Sequence, residues 1–146
     1  INTEELNRGR IYIMKIKGFA LVEIMIVAAI IALLAAIAIP NILSAQMAAN
    51  TQAAKENIRN LSAACERYAV ANNGAYPATV AQLTAFGSTA GSYCADASGA
   101  ITTSKGYQYR CTLASRGYTL AADPVKPGVT GTVAYSASTG GVFTPL

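Results

Sequence analysis

FALVEIMIVAAIIALLAAIAI, residues 19–39, is an apolar run in which Glu23 is the only charge. As a helix it is long enough to cross the hydrocarbon core of a bilayer. It also accounts for much of the bulk composition: the chain of 146 residues is 53% hydrophobic with a positive mean hydropathy, more apolar than a small soluble domain needs to be. No cationic side chain follows Glu23 within the run. A carboxylate in the apolar part of a membrane costs about 2.5 to 3.5 kcal/mol even on mild insertion scales, and such groups are usually paired and functional.

Working outward toward the N-terminus, Arg8, Arg10, Lys15 and Lys17 precede the run. By the positive-inside rule that side stays cytoplasmic and everything after Pro40 is exported. Residues 1–18 read as a leader. Met14 is the expected translation start, with residues 1–13 being upstream read-through or an unusually long leader.

Toward the C-terminus the pattern changes at Pro40 from all-round apolar to amphipathic. Met47, Thr51, Ala54, Ile58, Leu61, Cys65 and Tyr68 recur at three- and four-residue steps, which is one face of a helix. A single long helix over about residues 19–72 is expected, stopped by Asn72-Asn73-Gly74, with Glu56 and Arg59 able to pair at i, i+3. Pro40 removes one backbone donor and crowds the preceding turn. It is therefore read as a helix break, either a kink or local unwinding near residues 36–39 or the end of a membrane helix so that a second begins at Asn41.

Residues 75–106 are rich in Gly, Ser, Thr and Ala and read mostly as loop, with a short helix at 79–84. Beyond them Tyr107, Tyr109, Cys111 and Leu113 alternate with Gln108, Arg110 and Thr112, and Ser115-Arg116-Gly117 turns the chain into residues 118–121. Further short strands are expected at 132–135 and 142–143. The fold class is α+β: a long N-terminal helix with a protruding apolar half, residues 19–40, and a globular head, residues 41–146. In the head, the helix's C-terminal half carries a small antiparallel sheet of three or four strands.

Three cysteines in an exported segment allow at most one internal disulfide, and three pairings exist. The favoured pairing is Cys94 with Cys111, leaving Cys65 buried as a small apolar residue; a bridge from Cys65 to either partner stays open.

Other function classes find little support. The chain has no histidine, no Cys/His metal spacing, no Ser/His/Asp set and no glycine-rich phosphate loop, so no catalytic residues, cofactor or metal are assigned and the chain is not read as an enzyme. Residues 41–146 carry Lys55, Arg59, Arg67, Lys105, Arg110, Arg116 and Lys126 against Glu56, Glu66, Asp96 and Asp123, a net of +3 without a run of like charge. DNA is thus a weakly supported partner, because phosphate binding wants clustered cations.

The run Lys15-Ile16-Lys17-Gly18-Phe19-Ala20-Leu21-Val22-Glu23-Ile24-Met25-Ile26-Val27 resembles the signature of type IV prepilins and the related pseudopilins. Pro40-Asn41 falls where those proteins have a helix-breaking proline; the likeness covers residues 15–50, and Ala20 departs from the more usual threonine. The resemblance implies a pilin fold, cleavage after Gly18 by a membrane-bound prepilin peptidase on the cytoplasmic face, and N-methylation of Phe19. It implies that Glu23 of an incoming subunit pairs with the Phe19 amine of a neighbour. It further implies a precursor in the inner membrane, assembly machinery as partner, and a homopolymeric helical filament on the cell surface serving adhesion, motility or DNA uptake.

Alternatives weighed beside it are a type II secretion pseudopilin and a membrane-tethered binding module that never polymerises. Major pseudopilins have calcium-ligating acidic residues in the C-terminal loop, whereas residues 125–146 contain no carboxylate side chain. An ordinary secretory signal peptide would use Ala36-Ile37-Ala38 as its cleavage site, but its apolar region is shorter and lacks a carboxylate. Mass spectrometry of the exported protein separates these processing routes: Phe19 with a methylated amine is the expected N-terminus, Ile39 would mark a secretory signal, and a retained 15–18 leader would remove the prepilin reading.

Overall fold

Alanine, leucine and isoleucine dominate the first half of the chain and favour the helical backbone. The computed structural model describes residues 3–95 and 100–146, with residues 3–18 described by backbone alone. Its first element is the helix α1, Thr3–Ala71. It begins upstream of the expected start near residue 19; the side chains of the basic leader, and Gly18, lie outside those described. At the other end Asn72 donates to the Tyr68 carbonyl at 3.0 Å, Asn73 and Gly74 take φ of 56° and 86°, and the Gly74 amide returns to the Ala69 carbonyl at 2.8 Å. The asparagine-glycine stop thus works as the sequence suggests.

Pro40 is a correction. The helical assignment passes through it, so neither an unwound 36–39 segment nor a second helix beginning at Asn41 is found. Proline deletes only its own donor, and the neighbouring turns, rich in strong helix formers, keep their ladder. By compactness the chain divides into two units, Ile1–Ile42 and Leu43–Leu146.

In the second unit, α2 spans Val80–Ala85. Thr79 caps it: the Gln82 amide donates to the Thr79 hydroxyl at 3.3 Å while the Gln82 side chain accepts from the Thr79 amide at 3.3 Å, a reciprocal capping box. A single 3-10 turn follows at Ala90–Ser92. The sheet has five strands, β1 Ile101–Ser104, β2 Tyr107–Ala114, β3 Gly117–Pro124, β4 Tyr135–Ser138 and β5 Val142–Pro145, antiparallel and in sequence order. Two expectations change here. β1 was hidden in the Gly/Ser/Thr-rich stretch read as loop, because four residues give too short an alternation to detect. The strand expected at 132–135 begins only at Tyr135, since residues 125–134 close on themselves first, with the Gly128 amide donating to the Gly131 carbonyl at 2.9 Å.

Ala54, Ile58, Leu61 and Cys65 of α1 are buried against Tyr107, Tyr109, Cys111, Leu120 and Ala137 of the sheet, with Leu83 of α2 closing one side. Two periodicities, 3.6 and 2, meet in that core. Apolar contact alone leaves the sheet free to slide; polar contacts between side chains remove that freedom. The Tyr107 hydroxyl lies 3.0 Å from the Thr51 hydroxyl and 2.9 Å from the Val133 carbonyl. Asn57 donates to the Tyr109 hydroxyl at 3.1 Å. Tyr118 donates to Glu66 at 2.8 Å and accepts from Ser62 at 2.8 Å. The same Glu66 carboxylate accepts from the Tyr76 hydroxyl at 3.1 Å and the Gly140 amide at 2.9 Å. Gly140 has φ of 83° in the β4–β5 turn, where glycine is needed to aim that amide. Gly131 is required for another reason, since a Cβ there would collide with the Tyr107 hydroxyl. Among the described residues no buried side-chain polar atom is left without a partner.

The disulfide joins Cys94 to Cys111, the favoured pairing, and Cys65 is a free buried thiol. It links the segment after the 3-10 turn to β2 across 17 residues, for which chain entropy predicts about 3 kcal/mol of stabilisation. Burial, with the Glu66 charge beside it, pushes the Cys65 thiol from 9.0 up to about 12, leaving almost no thiolate to react at neutral pH. Iodoacetamide at pH 8 is therefore expected to label no thiol in the native protein, one after denaturation without reductant, and three once reductant is added, read by mass spectrometry.

Burial, reinforced by the Glu66 acceptor, raises the Tyr118 hydroxyl above its usual 10.0. The folded state therefore holds its proton more tightly than the unfolded chain. The sign follows: this contribution is fully present below pH 10 and is lost as pH rises further. Alkaline titration of stability by circular dichroism should show a decline above about pH 10. In Tyr118→Phe that decline should be shallower, while stability at neutral pH falls by about 1 to 3 kcal/mol for the lost hydrogen bonds and the acceptor left behind.

Candidate assembly site

Within the first unit the described residues from Phe19 onward are all exposed except Ala35, which is half-buried. Phe19 is 78% exposed, and Leu33 and Ile37 are each 68% exposed. Side chains of this size bury themselves wherever a partner exists, and an apolar surface this extensive marks a membrane or protein contact. The helix is long and apolar enough to cross a membrane. Ala28, Ala29, Ala32, Ala35, Ala36 and Ala38 are small enough for a second helix to approach closely, with Leu33, Leu34 and the isoleucines supplying contact area.

Glu23 lies among these apolar groups. Phe19, Val22, Glu23 and Ile26 line one shallow depression on a single face of α1, as positions i, i+3, i+4 and i+7 must. Glu23 is thus one turn, an axial rise of about 6 Å, from Phe19. Among the described residues it forms no ion pair. A backbone amine created at Phe19 would stand within reach of this carboxylate, in the same chain or in a staggered neighbour.

The other residues singled out from sequence lie elsewhere. Pro40 sits within α1, and Cys65, Cys94 and Cys111 belong to the core of the second unit. Sequence reasoning missed Glu66, whose three donors come from segments 10, 52 and 74 residues away; only its place beside the buried helix stripe hinted at a role. The expected Glu56–Arg59 pair is not formed. The Arg59 guanidinium lies over the Phe143 ring at 4.8 Å, and Phe143 stacks in turn on Tyr135 at 5.6 Å. A cation on an aromatic face gains as much as an exposed i, i+3 pair and is held more rigidly. Among the described residues no group of three potential ligands could hold a metal ion.

Comparison with known proteins agrees with the N-terminal geometry. A family model described as the prokaryotic N-terminal methylation motif matches residues 13–39. The chain is similar to the type II secretion system core protein G of Pseudomonas aeruginosa, 40% identical over 62 residues, covering 42% of this chain and 43% of that protein. It is similar also to the type IV wide pilus major component PilA4 of Thermus thermophilus, 41% identical over 71 residues, covering 49% of this chain and 53% of that protein. The matched part thus spans about half the length of these relatives. No solved structure matches.

Proposed function

Because the chain is a member of the type IV prepilin-like family, we propose that it is the structural subunit of an extracellular type IV pilus, cut after Gly18 and polymerised through α1. The observation that carries this reading is the exposed apolar helix with one carboxylate a single turn from Phe19. In the inner membrane, lipid covers the apolar side chains of residues 19–39. In the polymer, neighbouring copies replace the lipid, and the alanines let the helices come close.

Glu23 gives the exchange its direction. Cleavage converts the Phe19 amide into a cation, and the Glu23 carboxylate of an arriving copy pairs with it, setting the axial step. Peptidase and assembly machinery are the partners this implies. Adhesion, motility and DNA uptake are the roles open to such a filament.

The likeness to core protein G of a secretion system favours one other reading, a pseudopilin that pushes cargo. Residues 125–146, which lack any carboxylate side chain, favour the pilus. Electron microscopy of material sheared from cells distinguishes them, with long surface filaments expected.

Glu23→Gln keeps the size and polarity of the side chain and removes its charge. Breaking one end of a desolvated charge pair costs about 3 to 5 kcal/mol, a loss repeated at every contact in the polymer. The variant should still insert, still be cut after Gly18, and accumulate in the membrane fraction while surface filaments become few or absent. Filaments of normal number and length from Glu23→Gln alone would remove Glu23 as the assembly determinant.

A further inference from the structure

Among the described residues, two charge doublets on the Leu43–Leu146 unit form no ion pair. On α1, Glu56 and Arg59 are both exposed, and their i, i+3 spacing separates their Cβ atoms by about 5 to 6 Å. Arg59 is fixed in place by the Phe143 ring, which takes none of the guanidinium's hydrogen bonds. On the sheet, Arg110 pairs in register with Ala121 and Gln108 with Asp123, which makes Arg110 and Asp123 diagonal neighbours about 7 to 8 Å apart. Their intervening neighbours Tyr109, Cys111 and Ala122 are buried toward α1, so Arg110 and Asp123 stand on the sheet face turned away from the helix. Among the described residues none of the four charges forms an ion pair. The third described carboxylate of the unit, Glu66, is already occupied by two phenols and an amide.

The doublets are complementary in sign, and their separations of about 5 to 6 Å and about 7 to 8 Å differ by less than the reach of an arginine side chain. Glu56 lies on the opposite side of the unit from the outer sheet face, with Arg59 reaching round to Phe143 at the β5 edge. Glu56 falls about half a turn from Ala54, Ile58 and Leu61, hence on the side of α1 away from the sheet. A contact joining the two sides is heterologous, and a heterologous contact propagates as an open helical polymer rather than closing a dimer. The sheet face around Arg110 and Asp123 includes Gln108, Thr112, Thr119, Ala121 and Ser136, with the exposed Ile101 directly opposite Arg110 as an apolar contact for a neighbouring helix.

We propose that in the filament Glu56 and Arg59 of one copy pair with Arg110 and Asp123 of the next copy, so that the helix side of each head docks on the sheet side of its neighbour. This rests on the filament reading above and adds the lateral contact between heads. Exposed ion pairs contribute mainly to register and partner choice, which is the role assigned to these four residues.

Charge exchange in the full-length chain tests the pairing, with filaments counted by electron microscopy and normalised to the chain present in the membrane fraction. Glu56→Arg and Arg110→Glu are each expected to lower the count about ten-fold by placing like charges together, and the two combined should restore most of it. Arg59→Glu with Asp123→Arg should behave in the same way. Arg116→Glu, an exposed substitution with the same change in net charge as Arg110→Glu, should leave the count unchanged. Single reversals with normal filaments, or combined reversals that restore nothing in both pairs, overturn the proposal. An unmodified chain that forms no filaments overturns the filament reading itself, a result separable from the loss of pairing.

Discussion

The Glu66 carboxylate, accepting from Tyr76, Tyr118 and Gly140, ties together the last turns of α1, the loop after it, β3 and the β4–β5 turn. It completes a row in which tyrosine hydroxyls of the sheet meet polar groups of the helix, Tyr107 at Thr51, Tyr109 at Asn57 and Tyr118 at Ser62 and Glu66. Each bond contributes only about 1 kcal/mol net. Their spacing along α1 nevertheless allows a single placement of the sheet, because shifting the helix by one residue would leave buried hydroxyls without partners. The apolar core supplies the driving force and the tyrosines supply the register.

This matters for a chain whose residues 19–39 present apolar side chains to whatever surrounds them; in the filament proposed above, lipid or other copies would supply the burial that those side chains lack. A head of fixed geometry is then the part that can carry directional surface contacts. The paucity of internal ion pairs among the described residues fits the same division: Arg59 rests on Phe143, and Arg110 and Asp123 stay available on the outer sheet face.

The disulfide and the aromatic pairs serve the loops. Cys94 is held to Cys111 beside the contact of Tyr93 with Tyr109, whose ring centroids are 5.0 Å apart. The loop-rich segment between α2 and the sheet is thereby bound to β2 without a long hydrophobic element of its own. Tyr68 against Phe86 does the same between α1 and the end of α2.

Hydropathy and local periodicity were sufficient for α1, its apolar first half, its asparagine-glycine stop, the capped α2 and the alternating strands β2 and β3, because each of those signals is written within a few residues of the position it governs. The place of Glu23 in an apolar helix, one turn from Phe19, was legible for the same reason. The unwinding and the second helix start expected at Pro40 are absent, since a helix flanked by strong helix formers absorbs one missing donor. β1 and the true start of β4 were not legible, because they are strands only by virtue of the partners they pair with. Tertiary structure closed the favoured Cys94–Cys111 pairing over the two that spacing left open, and it alone gave Glu66 its donors up to 74 residues away and turned Arg59 from Glu56 to Phe143. Those outcomes depend on which distant side chains are brought within hydrogen-bond or van der Waals reach, and spacing along the chain does not encode that distance.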